Sequence, residues 1–161
     1  MKVAIFCGSL SDKPTMKISE DILNKFNIKN KIYVISAHRL PDLLSKTIKK
    51  IESLEGMELI IAGAGLSAHL PGIIASRTIL PVIGVPIYAN NGLLGGIDAL
   101  LSIVQMPKDV PVATVGINNA YNAALLSVHI LAMKYNEIKK LLLKFRMKKK
   151  EKLVTEIDKY L

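Results

Sequence analysis

The chain opens on five consecutive apolar residues, Val3-Ala4-Ile5-Phe6-Cys7, which stop at a glycine-serine turn. Short continuous apolar runs bounded by turn residues read as strands buried on both faces. Lys31 to Ile35, Leu59 to Ala62 and Pro81 to Val85 predict further strands, and Val110 to Val115 a short fifth one. Between the runs the apolar spacing lengthens to three or four residues. Asp12-Lys13-Pro14 supplies a helix start, a capping carboxylate with proline inside the first turn. Met16, Ile18, Ile22, Leu23 and Phe26 continue that helix. Pro41 opens another, carried by Leu44, Ile48, Ile51 and Leu54. Leu70 to Leu80 predicts a short helix, Leu93 to Gln105 a longer one, and Asn122 to Tyr135 one rich in alanine and leucine. A charged helix runs from Glu137 to Leu161.

Strands alternating with helices at this spacing imply an α/β fold, a parallel sheet with helices on both faces. No linker, repeat or low-complexity tract interrupts it, which predicts one domain over residues 1–161. In such folds ligands bind outside the carboxyl ends of the strands, where the strand order switches. Three polar segments stand at predicted strand ends: Gly8-Ser9-Leu10-Ser11-Asp12, Ser36-Ala37-His38-Arg39 and Ser67-Ala68-His69-Leu70-Pro71-Gly72. The topology would bring them together.

Composition narrows the function classes. Half of the 161 residues are hydrophobic, yet no run approaches the roughly 18 uncharged apolar residues of a membrane span. The longest weakly charged region, Ile60 to Ile97, is broken by seven glycines and three prolines. Met1-Lys2 leading straight into a strand predicts no signal peptide. A single cysteine, Cys7, cannot build a disulfide framework, so a reducing cytoplasm is the expected compartment. Cys7 itself reads as a small buried hydrophobe before it reads as a nucleophile. The net charge of +9 sits mostly in the tail: from Lys134 onward ten basic residues face four acidic ones. With 19 lysines among 22 basic residues and only Tyr135, Phe145 and Tyr160 as aromatic residues in the tail, it reads as a solvated helix face rather than a nucleic-acid platform.

The chemistry rests on few side chains. Gly8 to Asp12 offers two hydroxyls and free amides at a helix start, either a plain turn or a phosphate site. It matches neither a P-loop nor a dinucleotide fingerprint. Asp12 can cap the helix or accept from a ribose hydroxyl. His38 can exchange a proton near neutral pH, beside Arg39, whose fork suits phosphate. His69 follows glycine-rich backbone that lets a ligand approach, or it only fastens its loop. His129, the third histidine, falls within an apolar helical pattern and reads as a packing residue. Two histidines without a carboxylate pair or cysteine cluster make a poor metal site, so none is expected. No G-x-S-x-G elbow marks a serine nucleophile.

Several segments carry a resemblance when taken in order. They are Gly8-Ser9-x-Ser11-Asp12, Ser36-Ala37-His38-Arg39-x-Pro41-Asp42 and Ala62-Gly63-Ala64-Gly65-x-x-Ala68-His69-Leu70-Pro71-Gly72. Pro81 to Pro86, Ser102 to Pro107 and Asn122 to Leu126 complete the set. From about residue 2 to 133 the chain resembles the aminoimidazole ribonucleotide carboxylase/mutase family of purine biosynthesis. His38-Arg39 followed by Ala-His-Leu-Pro-Gly resembles the mutase branch, which acts on the N5-carboxylated nucleotide. The resemblance implies a flavodoxin-like three-layer α/β/α domain, here with an extra C-terminal helix, assembled as a homo-octamer with sites shared between subunits. It implies transfer of a carboxylate from the exocyclic nitrogen to carbon 4 of the imidazole ring, with no metal, biotin, ATP or other cofactor. Catalytic roles then fall to His38 for proton traffic and His69 for positioning or polarising. Ser9, Ser11 and Arg39 would fix the phosphate and Asp12 the ribose, with Ser36, Gly65, Ser67, Ala68 and Leu70 completing the substrate pocket.

Two rivals remain at this stage. One is direct carboxylation of the nucleotide by CO2 in the same pocket. The other is a non-catalytic nucleotide-phosphate binding module with a basic tail. The chain also departs from the family pattern. Leu66-Ser67 stands where small residues are usual, Tyr88 to Leu93 differs from the usual loop, the segment before Asn122 is shorter, and the lysine-rich tail is unlike the family's.

Overall fold

The computed structural model describes residues 2–90, 92 and 94–160; within the divergent Tyr88 to Leu93 loop, Asn91 and Leu93 lie outside the described residues, as do Met1 and Leu161. Five strands, β1 (Lys2–Cys7), β2 (Lys29–Val34), β3 (Met57–Gly65), β4 (Val82–Ile87) and β5 (Ala113–Thr114), form one parallel sheet. Its order is β2-β1-β3-β4-β5, the flavodoxin-like arrangement. The helices are α1 (Lys13–Lys25), α2 (Pro41–Glu52), α3 (Leu70–Ala75), α4 (Ile97–Val104), α5 (Ala120–Lys134) and α6 (Asn136–Ile157).

The period of two along each strand divides the core. Val3, Ile5 and Cys7 of β1, Leu59 and Ile61 of β3, and Ile83 and Val85 of β4 face α1, α5 and α6. Ala4, Phe6, Ile60, Ala62 and Val82 face α2, α3 and α4. Both faces are therefore covered, as continuous apolar strands require. Ser19, fully buried on α1, donates to the Ala120 carbonyl at 2.6 Å and pins α1 to α5. At the margin, β2 exposes Lys29 and Lys31, whose ammonium lies 5.2 Å from the centre of the Tyr33 ring.

Several boundaries differ from the sequence reading. β3 runs nine residues rather than four because it starts two residues earlier, at Met57, and continues through Gly63 and Gly65. A β-carbon on Gly63 would stand 2.3 Å from Met16 Sδ, so the strand needs glycine where α1 packs closest. The helix expected from Leu93 starts at Ile97, after Gly95 and Gly96 take left-handed φ values of 61° and 92°. The helix expected to reach Leu80 ends at Ala75. α5 starts two residues before Asn122 because the Asn119 side chain accepts from the Asn122 amide at 3.0 Å. The fifth strand shrinks to two residues. No helix among the described residues is long and apolar enough to cross a membrane.

Candidate active site

β1 and β3 are neighbours although β2 separates them in sequence, so the chain leaves β1 in opposite directions across the sheet. That switch opens a cleft of about 540 Å³ above the carboxyl ends of β1, β2 and β3. Gly8, Ser9, Ser11 and Asp12 line it from the β1 loop, and Ser36 to Arg39 from the β2 loop. Ala64 to Ser67, His69 and Leu70 line it from β3, and Ala89 from beyond β4. Most of the expected site residues meet there. Ala68 is the exception: it does not line the cleft, and its methyl is buried in the core on the α2 side.

The β1 loop is a single turn of 3-10 helix, Leu10–Asp12, leading into α1. Because Asp12 already has helical backbone angles, its side chain makes no cap. The expected capping role is therefore not realised: Asp12 Oδ2 accepts instead from Ser9 Oγ at 2.8 Å, and Ser9 and Ser11 hydroxyls lie 2.6 Å apart. Two hydroxyls and a carboxylate thus share one short loop, and Ser11 remains exposed.

On the second loop the Ile35 amide still donates to the Cys7 carbonyl at 2.9 Å, after which the chain turns away. The Leu40 amide donates to Ser36 O at 2.9 Å and closes the turn before Pro41. Arg39 Nε donates to Ser36 Oγ at 3.3 Å, holding the guanidinium against the cleft wall. His38 stays exposed and reaches the third loop. Its Nε2 lies 2.8 Å from His69 Nδ1, with the rings 4.9 Å apart and 82° to each other. This contact requires one nitrogen to carry a proton and the other a bare lone pair. The pair can therefore hold one proton between its members and keeps two outward nitrogens, His38 Nδ1 and His69 Nε2, for a ligand.

Beneath the cleft Cys7 is fully buried, and burial pushes its thiol up to about 11, with the nearby Asp12 carboxylate adding to the effect. A neutral, buried thiol is no nucleophile, in line with its reading as a core residue. His129 is corrected: it is exposed on α5, in a groove shared with α6, and not packed in the core. Among the described residues no three His, Cys, Asp or Glu side chains gather as a metal site.

The sequence reading missed Ala89 as a wall residue. Its signal was Gly65: a β-carbon there would stand 2.9 Å from the Ile87 carbonyl and 3.4 Å from the Ala89 methyl. A glycine kept in a strand marks a close backbone approach, here by the chain leaving β4.

A family model described as AIR carboxylase matches residues 2–152. The chain belongs to the AIR carboxylase family. Among AIR carboxylase relatives, a Pyrococcus horikoshii protein named N5-carboxyaminoimidazole ribonucleotide mutase is 54% identical over 94% of this chain and 84% of its own length. A Thermotoga maritima protein of the same name is 49% identical over 95% of this chain and 88% of its own. Phosphoribosylaminoimidazole carboxylase from Vigna aconitifolia is 44% identical over 94% of this chain, which spans 27% of that longer protein. The crystal structure of Treponema denticola PurE superimposes with a TM-score of 0.90 at 26% identity, covering 98% of this chain and 97% of that one.

Proposed function

We propose that this protein is an enzyme of purine biosynthesis that converts N5-carboxyaminoimidazole ribonucleotide to its 4-carboxy isomer. The observation that carries the reading is the His38–His69 contact, which faces a cleft walled by Ser9, Ser11, Asp12 and Arg39. The mutase name of the archaeal and bacterial relatives supports the substrate.

The nucleotide is held at both ends. Ser9, Ser11 and Arg39 bind the phosphate, Arg39 through its fork, while Asp12 accepts from a ribose hydroxyl. Ser36, Gly65, Ser67 and Leu70 shape the space for the ring, and Ala68 supports that wall from beneath. With the ring fixed, the carboxylated nitrogen loses CO2 and takes up a proton. Carbon 4 then attacks the trapped CO2, and its proton leaves to an imidazole. His38 carries that proton, and His69, hydrogen-bonded to it, sets which of its nitrogens faces the ring. No step calls on a metal or cofactor.

Residues 1–161 act as one catalytic unit in the cytoplasm. Exposed apolar residues on α2, on α4 and in the loops (Leu43; Ile97, Leu101, Val104; Leu40, Leu94) support assembly of several copies, up to the homo-octamer the family resemblance implies. The lysine-rich end of α6 has no assigned partner, and nucleic acid is not among the proposed ones.

Direct carboxylation by CO2 is the second reading, favoured by the carboxylase name of the plant relative. Supplying the purified protein with each nucleotide, with and without bicarbonate, separates the two. Conversion of the N5-carboxylated nucleotide supports the mutase; turnover only of the uncarboxylated nucleotide with bicarbonate refutes it. His38→Asn should lower kcat by about a hundredfold or more, the usual worth of a general acid-base group, with KM little changed. Unchanged kcat would remove His38 from the proton transfer, whereas no turnover of either nucleotide by the parent protein would leave only a nucleotide-binding module.

A further inference from the structure

Leu66 has a left-handed backbone, with φ of 55°, at the turn out of β3. Glycine takes that conformation freely, whereas a side chain makes it strained. The leucine side chain does not escape into the core. It lines the cleft and is 39% exposed. It reaches toward the loop beyond β4, where its Cδ2 lies 3.5 Å from the position a β-carbon on Gly92 would take. The Gly92 amide donates to the Ala89 carbonyl at 2.8 Å, and Ala89 is itself a wall residue. Leu66 thus forms an aliphatic strut between two loops at the rim, three residues from His69. Leu70, the other large apolar side chain of that wall, is buried.

We propose that Leu66 is the apolar cover that keeps released CO2 in the cleft between the two halves of the carboxylate shift. The inference rests on the mutase reading. In the first half the N–C bond breaks, its electron pair returns to nitrogen with a proton, and CO2 is set free. In the second, carbon 4 bonds to that CO2 and gives up its proton to an imidazole. CO2 carries no charge for Arg39, Ser9 or Ser11 to hold, so only exclusion of water and apolar contact retain it. If it escapes, the uncarboxylated nucleotide is left behind. A strained backbone position kept for its side chain is accounted for by that need.

The test is label retention. The N5-carboxylated nucleotide, carrying carbon-13 in its carboxylate, is converted in buffer with unlabelled bicarbonate, and the product is read by mass spectrometry. Leu66→Gly removes both strain and side chain, and Leu66→Ala removes the side chain while keeping the strain. Both should raise the ratio of unlabelled to labelled product by about tenfold, the scale of one lost aliphatic contact. Leu66→Gly should keep or raise the thermal midpoint, which excludes misfolding as the cause. Retention equal to the parent protein's in both variants, or a loss in Leu66→Gly alone, overturns the inference and leaves the mutase reading standing. No conversion by the parent protein overturns both.

Discussion

Adding one methyl group at Gly84 probes the packing that holds α3, and with it His69, over the sheet. Gly84 lies buried in β4, where α3 and α4 both press on the strand. A β-carbon there would stand 2.4 Å from Ile103 Cγ2, 3.0 Å from Val112 Cγ1 and 3.5 Å from Pro71 Cβ. Carbon pairs settle at roughly 3.5–4.0 Å, so Ile103 would have to retreat by more than an ångström. Its Cγ2 is fixed to a β-branched carbon with one favoured helical rotamer, so it retreats only if α4 moves. Overpacking of this kind costs about 1–3 kcal/mol. Stiffening the unfolded chain returns about 0.4–1 kcal/mol, leaving a net loss near 1–2 kcal/mol for Gly84→Ala. Ile103→Leu removes Cγ2 and alone should cost under about 1.5 kcal/mol. Combined, the two should be better than additive by about 1 kcal/mol, because the second clears the clash made by the first. Urea unfolding followed by circular dichroism at one protein concentration measures all four proteins. Gly84→Ala within about 0.5 kcal/mol of the parent, or a strictly additive pair, would refute the reasoning.

At Gly8 a β-carbon would meet only Asp12 Oδ2, at an ordinary 3.6 Å, while pointing into the cleft. Gly8→Ala should therefore fold normally and raise KM for the nucleotide by about tenfold; an unchanged KM would show that substrate does not approach Gly8. With its thiol pushed up to about 11, Cys7 is ionised at about one part in a thousand at pH 8. Iodoacetamide should label it promptly in urea and hardly at all in the native protein; rapid native labelling would contradict its burial. Glu58 accepts from the Tyr135 hydroxyl and from Lys134 Nζ, the latter at 3.0 Å, and these hydrogen bonds hold its carboxyl below the usual range, Tyr135 foremost. A lowered folded pKa gives stability that is full above the unfolded value of about 4.3 and is lost as pH falls through the folded one. The gap in urea midpoint between the parent and Glu58→Gln should be widest near neutrality and close in that acid range. A gap independent of pH would show that the carboxylate charge is not what stabilises.

The layer order of the sheet was legible because buried parallel strands announce themselves as unbroken apolar runs. β1 and β4 needed little more. β3 was cut short on paper because Gly63 and Gly65 look like turn residues, and only the approach of Met16 and the Ile87 carbonyl explains them as strand. β5 failed for the opposite reason: Val110 to Val115 is apolar enough for a strand, but only Ala113 and Thr114 pair with β4. The site was visible as three loops of suitable chemistry. That two imidazoles 31 residues apart touch at 2.8 Å was not, since the contact follows from β1 lying between β2 and β3. Of the two readings of the Asp12 side chain the cap is not realised, because a turn of 3-10 helix ahead of α1 leaves it no cap to make. His129 was misjudged because an apolar helix need not be buried all round, and α5 turns that position outward.

The two margins of the sheet differ in how they refuse a further strand. β5 offers two residues, too short a template for another chain to pair with. β2 is longer, but it presents Lys29 and Lys31, and an approaching backbone would have to desolvate those ammonium groups or displace them. Ribbon-like growth by strand addition is thus disfavoured at either end, which keeps a chain this rich in apolar residues from polymerising along its backbone. Contacts between copies are left to helices and loops, where side-chain shape can select the right partner and the right number of them.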